Sequence, residues 1–147
     1  MVIHIATDHA GFDEKNAIVS YLQGKNYEVV DHGAHVYDSD DDYPSMCIAC
    51  GEAVAKDPNA LGILIGGSGN GEQISANKVK GVRAALVWNV EIAKLARQHN
   101  NANIISLGAR QHSIEECIEF VQTFIDTPFS GSERHVRRIN LISNYEK

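Results

Sequence analysis

Two clusters of polar residues in this chain combine types that can move a proton and hold an anion. The first, Gly66-Gly67-Ser68-Gly69-Asn70-Gly71-Glu72, follows the apolar run Leu61-Gly62-Ile63-Leu64-Ile65. Four glycines among six residues let the backbone take positive φ and bring bare N–H groups close to a ligand. A loop of that kind, continuing as a helix through Gln73-Ile74-Ser75-Ala76-Asn77-Lys78, suits a phosphate or an oxyanion, and Glu72 beside it can accept a proton. The spacing matches neither G-x-G-x-x-G nor G-x-x-x-x-G-K-[ST], and a plain structural turn is the competing reading. The second cluster, Asp8-His9-Ala10-Gly11, closes the apolar stretch at the amino terminus.

Hydrophobic patterning says which elements carry these clusters. Apolar stretches at 2–7, 27–31, 61–65, 82–87 and 103–107 read as strands. Helical spacing predicts helices over 12–23, 44–56, 90–98, 113–126 and 132–145, with Pro44 in a first turn and Gly24 as a stop. Strands and helices alternate from end to end, and the strands are continuously apolar. That pattern predicts a doubly wound, Rossmann-like α/β fold: a five-stranded parallel sheet with helices on both faces, in the flavodoxin-like order 2-1-3-4-5. Ligands of such sheets bind beyond the carboxyl ends of the strands, at the switch point between the first and third. Both clusters fall there, so two carboxylates, an imidazole and a row of backbone donors should share one crevice.

A chain of 147 residues with 44% apolar and 22% charged content suits a single domain, 1–147, with a sizeable core. The net charge of −6 argues against general affinity for nucleic acid or an acidic membrane surface, although Arg134, Arg137 and Arg138 cluster near the end and leave room for a local anion site. The first residues lack a signal-peptide pattern, and no apolar run approaches the ~18 residues of a membrane span. The expectation is a soluble, cytoplasmic protein. Three cysteines, an odd number, point to a reducing compartment. Cys47 and Cys50 spell C-x-x-C, but no second pair follows at zinc spacing; core packing is expected for both and for Cys117, and no metal site. The acidic run Asp38-Ser39-Asp40-Asp41-Asp42 lacks the glycine and distal glutamate of an EF-hand and reads as a solvated loop.

Several segments, taken in order, resemble type B ribose-5-phosphate isomerase: Asp8-His9-Ala10-Gly11, Asp42-Tyr43-Pro44, the Gly66 to Glu72 loop with Ala76-Asn77-Lys78, Arg97-Gln98-His99-Asn100, and Arg134-His135-Val136-Arg137-Arg138. The match spans nearly the whole chain. The wider family also contains isomerases of galactose 6-phosphate and allose 6-phosphate. The resemblance implies interconversion of ribose 5-phosphate and ribulose 5-phosphate by a homodimer, without metal, nucleotide or other cofactor. One branch of the family carries a cysteine base where this chain has Gly66. The pattern here is similar to the other branch, in which the residue matching Glu72 is the base.

Aldose to ketose isomerisation must open the sugar ring, take a proton from C2, stabilise a cis-enediolate and return the proton to C1. Glu72 suits the shuttle because a carboxylate is free to accept a proton at neutral pH. A helix N-terminus lowers its pKa and burial raises it, and the sequence leaves that balance open. Ser68 and the N–H groups of Gly69, Asn70 and Gly71, with Gly67 in the same loop, would bear the enediolate charge. The resemblance gives ring opening to His99, sugar contacts to Asn100, Asp8 and His9, and the phosphate to Arg110, Arg134 and Arg138. Arg134 and Arg138, four apart, share a helix face, and guanidinium forks fit phosphate oxygens.

His99 and Asn100 end the helix before the fifth strand, at the amino edge of the sheet, whereas Glu72 lies beyond the carboxyl edge. A five-residue strand is roughly 17 Å long, which a histidine side chain does not span. Active sites shared between two subunits of a twofold dimer are therefore expected. Other readings stand beside this one. An isomerase of a six-carbon sugar phosphate shares the reactive end of the substrate. A nucleotide- or flavin-binding module would leave His99 and the arginine helix idle, and a noncatalytic partner subunit need not keep Glu72 and His99 together.

Overall fold

The computed structural model describes residues 1–147, and in it the apolar runs form one all-parallel sheet of β1 (Val2–Thr7), β2 (Glu28–Asp31), β3 (Leu61–Gly66), β4 (Ala84–Leu86) and β5 (Ile104–Gly108). The doubly wound class holds, but the strand order is β2-β1-β3-β5-β4, so the expected 2-1-3-4-5 is wrong for its last two strands. β5 is buried at all five positions and has a partner on each edge, whereas β4 has three residues, two of them half-buried, and pairs on one edge only. The free edge of β4 is covered by side chains from the preceding helix. The Asn77 amide accepts from Ala84 N–H at 2.9 Å and donates to Ala84 C=O at 3.0 Å, and Gln73 Nε2 donates to the same oxygen at 3.1 Å. A strand end satisfied in this way needs no second partner.

The helices are α1 (Phe12–Gly24), α2 (Pro44–Lys56), α3 (Asn70–Asn77), α4 (Val90–Gln98), α5 (Ile114–Asp126) and α6 (Glu133–Tyr145). Alternation along the strands divides the core into two layers. Ile3, Ile5, Ile63, Ile65, Ile105 and Leu107 pack against Ile18 and Leu22 of α1, Ala93 and Ala96 of α4, and Phe120 and Phe124 of α5. On the other face Ala6, Leu64 and Ile104 meet Cys47, Cys50 and Val54 of α2 and Ala76 of α3.

The three cysteines are free and fully buried, as core packing requires. Burial pushes the Cys50 thiol up to about 12 and the Cys117 thiol to about 11, and it raises Cys47 as well, so none is a thiolate at neutral pH. α6 stands apart from this packing: His135 is its one buried residue, and Val136, Leu141, Ile142 and Tyr145 are exposed. No helix is long and apolar enough to cross a membrane.

Candidate active site

The carboxyl ends of β1, β3 and β5 meet in register, since Thr7 pairs with Ile65 and Gly66 with Gly108. Pairing continues past the strands: Ala109 N–H donates to Gly66 C=O at 2.8 Å and Arg110 N–H to Gly67 C=O at 3.1 Å. Arg110 is thereby held beside the glycine loop, its Nη1 3.1 Å from where a Cβ on Gly67 would stand. Gly69 turns the loop into α3 with φ +87, a conformation that costs glycine little and L side chains much, and Ser106 Oγ anchors it by donating to Gly69 C=O at 2.7 Å. Ser68 Oγ accepts from Asn70 N–H at 3.2 Å and from Asn70 Nδ2 at 3.1 Å. With both lone pairs engaged, the Ser68 hydroxyl proton is left to donate outward. Asn70 N–H is spent on Ser68, so of the three expected backbone donors those of Gly69 and Gly71 remain for an anion.

Glu72, in the first turn of α3, is 4% exposed, and its Oε2 has no hydrogen-bond partner. The balance left open by the sequence is settled by surroundings: burial, then the nearby Asp8 carboxylate, raise its pKa above the ordinary value of 4.5, and its own backbone N–H pulls the other way. The carboxylate lies where a side chain on Gly66 would be. Gly66 is therefore required by close approach. Gly66→Ala should fold yet lose on the order of 10²-fold in kcat, because the displaced carboxylate no longer meets the reacting carbon. Turnover equal to wild type would show that Glu72 need not rest there.

Asp8, 7% exposed at the end of β1, accepts from Ala10 N–H at 2.9 Å and so caps a short 3₁₀ turn, His9–Gly11, that the sequence reading did not foresee. His9 on that turn is tied to Asp41, with Nδ1 to Oδ1 at 2.8 Å and its backbone N–H to the same oxygen at 3.1 Å. Asp41 is a residue that the sequence reading missed. Nothing in the acidic run distinguishes it from Asp38, Asp40 and Asp42, which are exposed as a solvated loop should be. The ligand atoms of Asp8, His9 and Asp41 lie within 4.8 Å of one another, as in a metal-binding trio. Asp8 Oδ1 and Asp41 Oδ1, however, already accept hydrogen bonds from the protein.

The remaining expected residues lie at the other edge of the sheet. His99 caps α4, its N–H donating to Leu95 C=O at 2.9 Å, and with Asn100 it is exposed before β5 begins. The turn that follows is braced by Arg97, whose Nη1 donates to Ala102 C=O at 2.6 Å, and by Arg83, whose Nη2 donates to Asn101 C=O at 2.8 Å. The His99 ring rests on that of His135, centroids 4.5 Å apart, and His135 Nδ1 is 2.8 Å from Ser130 Oγ. His135 is thus a buried support that fastens the start of α6 to the end of α4. Arg134 and Arg138 flank it, exposed and with no carboxylate within ion-pair distance, whereas Arg137 pairs with Glu133 at 3.4 Å. The structure therefore brings Asp8, His9, Glu72, Arg110 and the Gly67 to Gly71 loop together. It leaves His99, Asn100, Arg134 and Arg138 a strand's length away, roughly 17 Å.

A parallel α/β sheet with a buried carboxylate and a donor loop at its switch point is an arrangement that can accept a proton and hold an anion. The chain belongs to the ribose/galactose isomerase family, whose model matches residues 3–142. It is 49% identical over 147 residues to the ribose-5-phosphate isomerase B of Mycolicibacterium paratuberculosis, covering 100% of this chain and 92% of that protein. Against that of Mycobacterium tuberculosis it is 48% identical, covering 100% and 91%. The crystal structure of the Mycoplasma genitalium ribose-5-phosphate isomerase B with bound ribulose 5-phosphate superposes with a TM-score of 0.95 at 44% identity, over 99% of this chain and 95% of that one.

Proposed function

We propose that this protein interconverts ribose 5-phosphate and ribulose 5-phosphate through a cis-enediolate, with Glu72 carrying the proton between C2 and C1. The observation that carries the reading is the Glu72 carboxylate, buried against Gly66 with one oxygen unpartnered, at the edge of a loop that still has free donors. Burial keeps its proton affinity above that of an ordinary carboxylate, which suits a group that must take a proton from carbon and give it back. As the C2–H bond breaks, its electron pair forms the C1–C2 double bond and the C1=O π pair moves onto O1; the O2 hydroxyl proton then passes to O1, and as the C2=O bond forms C1 takes the proton back from Glu72. The Ser68 hydroxyl and the N–H groups of Gly69 and Gly71 meet the charge on these oxygens.

Ring opening falls to His99, and the phosphate to Arg110, Arg134 and Arg138; His9, expected from the resemblance to contact the sugar, is assigned to the phosphate instead because its ring faces Arg110. In one chain these groups divide between two edges of the sheet, so the working site is assembled from two copies: Glu72, Asp8, His9 and Arg110 of one with His99, Asn100, Arg134 and Arg138 of the other. Exposed Ile74, Trp88, Val136, Leu141 and Ile142 provide apolar surface for a second copy to cover. Assay of the purified protein against the 5-phosphate of ribose and the 6-phosphates of allose and galactose tests the reading. Preference for a six-carbon substrate would replace the substrate and leave the mechanism; no activity on any of them would overturn both.

The arginines give a second test. Arg134→Ala and Arg138→Ala should each raise KM about 30-fold, the equivalent of about 2 kcal/mol for a charge-assisted contact, and inorganic phosphate should compete with substrate. Unchanged KM in both variants would make them a solvated face.

A further inference from the structure

The acidic loop between β2 and α2 turns one of its carboxylates inward. Asp41 has a side chain 15% exposed, its Oδ1 accepts from both the backbone N–H and the ring Nδ1 of His9, and its Oδ2 is buried without a partner. An ionised carboxylate only accepts hydrogen bonds, so the proton of a neutral His9 sits on Nδ1. Nε2 then presents a lone pair. An ionised phosphate oxygen is also only an acceptor, and a neutral His9 held this way repels it. The same ring with a second proton presents a cationic N–H donor.

The charged groups that face His9 are Asp41 from the loop, Asp8 from the end of β1 and Arg110 from the segment after β5. Tyr37 adds an aromatic edge, its ring at 89° to the imidazole with centroids 6.4 Å apart. The hydrogen bond to Asp41 raises the pKa of His9 most; desolvation opposes it, the Asp8 and Asp41 charges add to the rise, and Arg110 opposes it least. Two carboxylates thus favour a positive ring beside a guanidinium, an arrangement that two cations alone would resist.

We infer that Asp41 is a positioning residue for the substrate's phosphate: by holding His9 through Nδ1–H it fixes the tautomer, so that the protonated ring donates Nε2–H to the anion that Arg110 also contacts. This rests on the proposal that His9 and Arg110 receive the phosphate. Asp41 itself touches no substrate. Its effect is to make phosphate affinity depend on the protonation of one histidine.

The test is the KM of Asp41→Asn relative to the unsubstituted enzyme across pH 5.5 to 8.5. Without the carboxylate His9 loses its proton at lower pH, so KM should exceed wild type by about tenfold near neutrality and converge with it at the acid end, kcat changing little. The substrate's own phosphate ionisation near pH 6 affects both proteins alike and cancels in the ratio. A ratio that is flat with pH, whether unity or large, would overturn the inference, since simple damage to the loop raises KM at every pH. Arg110→Ala separates the two levels. If it leaves both KM and inhibition by inorganic phosphate unchanged, the phosphate site itself is misassigned; if it raises them while the Asp41→Asn ratio stays flat, only the role of Asp41 falls. A second readout uses the unsubstituted protein. Nitrogen NMR of His9 should show Nδ1 protonated throughout, with the Nε2 midpoint moving to higher pH on adding inorganic phosphate. An unmoved midpoint would equally overturn the inference.

Discussion

Glu72→Gln is expected to abolish isomerisation, lowering kcat by roughly 10²- to 10⁴-fold while ribulose 5-phosphate still binds, because the amide keeps the carboxylate's shape but cannot accept the C2 proton. Activity within about tenfold of wild type would remove Glu72 as the base. Loss of activity through misfolding would look different, and stability tells them apart. The folded-state pKa of Glu72 is raised above its ordinary 4.5 by burial and by Asp8. Its protonated form therefore favours the fold: that stability is fully present below pH 4.5 and is lost as pH rises through the raised value. At neutral pH the buried carboxylate costs stability that a neutral amide does not, so Glu72→Gln should melt higher than wild type. The same shift sets the acid limb of kcat/KM. Only ionised Glu72 can act, so activity should fall with decreasing pH at a midpoint above that of an ordinary carboxylate.

The second large effect is recovery of activity from two dead proteins. Glu72→Gln and His99→Ala should each be inactive alone, yet refolding them together should restore turnover: with sites shared between two copies, as proposed, a mixed dimer would hold one site with both native groups and one site lacking both. Random pairing makes half of the dimers mixed, each with one intact site of two, so about a quarter of wild-type activity should return. His99 is exposed at the amino edge of β5, while Glu72 lies beside Gly66, whose β5 partner Gly108 ends the strand. That separation, roughly 17 Å, is what one chain cannot close. Native mass spectrometry would confirm that mixed dimers form. If they form and stay inactive, either each subunit builds its own site or one of the two assignments is wrong.

Much of this protein is legible in local pattern. Continuous apolar runs gave the strands, helical spacing and Pro44 gave the helices, and the glycine spacing of residues 66 to 71 gave the loop, because each reports backbone periodicity or turn chemistry that acts over a few residues. The rule that ligands sit at the switch point of such a sheet then brought Asp8 and Glu72 together without coordinates. The family resemblance added His99, Asn100, Arg110, Arg134 and Arg138, which no spacing would have joined to them.

Tertiary structure decided what depends on which distant segments meet. β4 stands outside β5 with its free edge closed by the Asn77 amide, a contact no strand pattern encodes. Glu72 could have been an ordinary first-turn glutamate favoured by the helix; its proton affinity rises instead because the chain folds it into a dry space against Gly66 and beside Asp8. Asp41 looks like its acidic neighbours until the 3₁₀ turn presents His9 to it, and His135 looks like a surface residue until α6 lays it beneath His99. Desolvation and fields between charges act through space and follow from packing, whereas periodicity acts along the chain and can be read directly from the sequence.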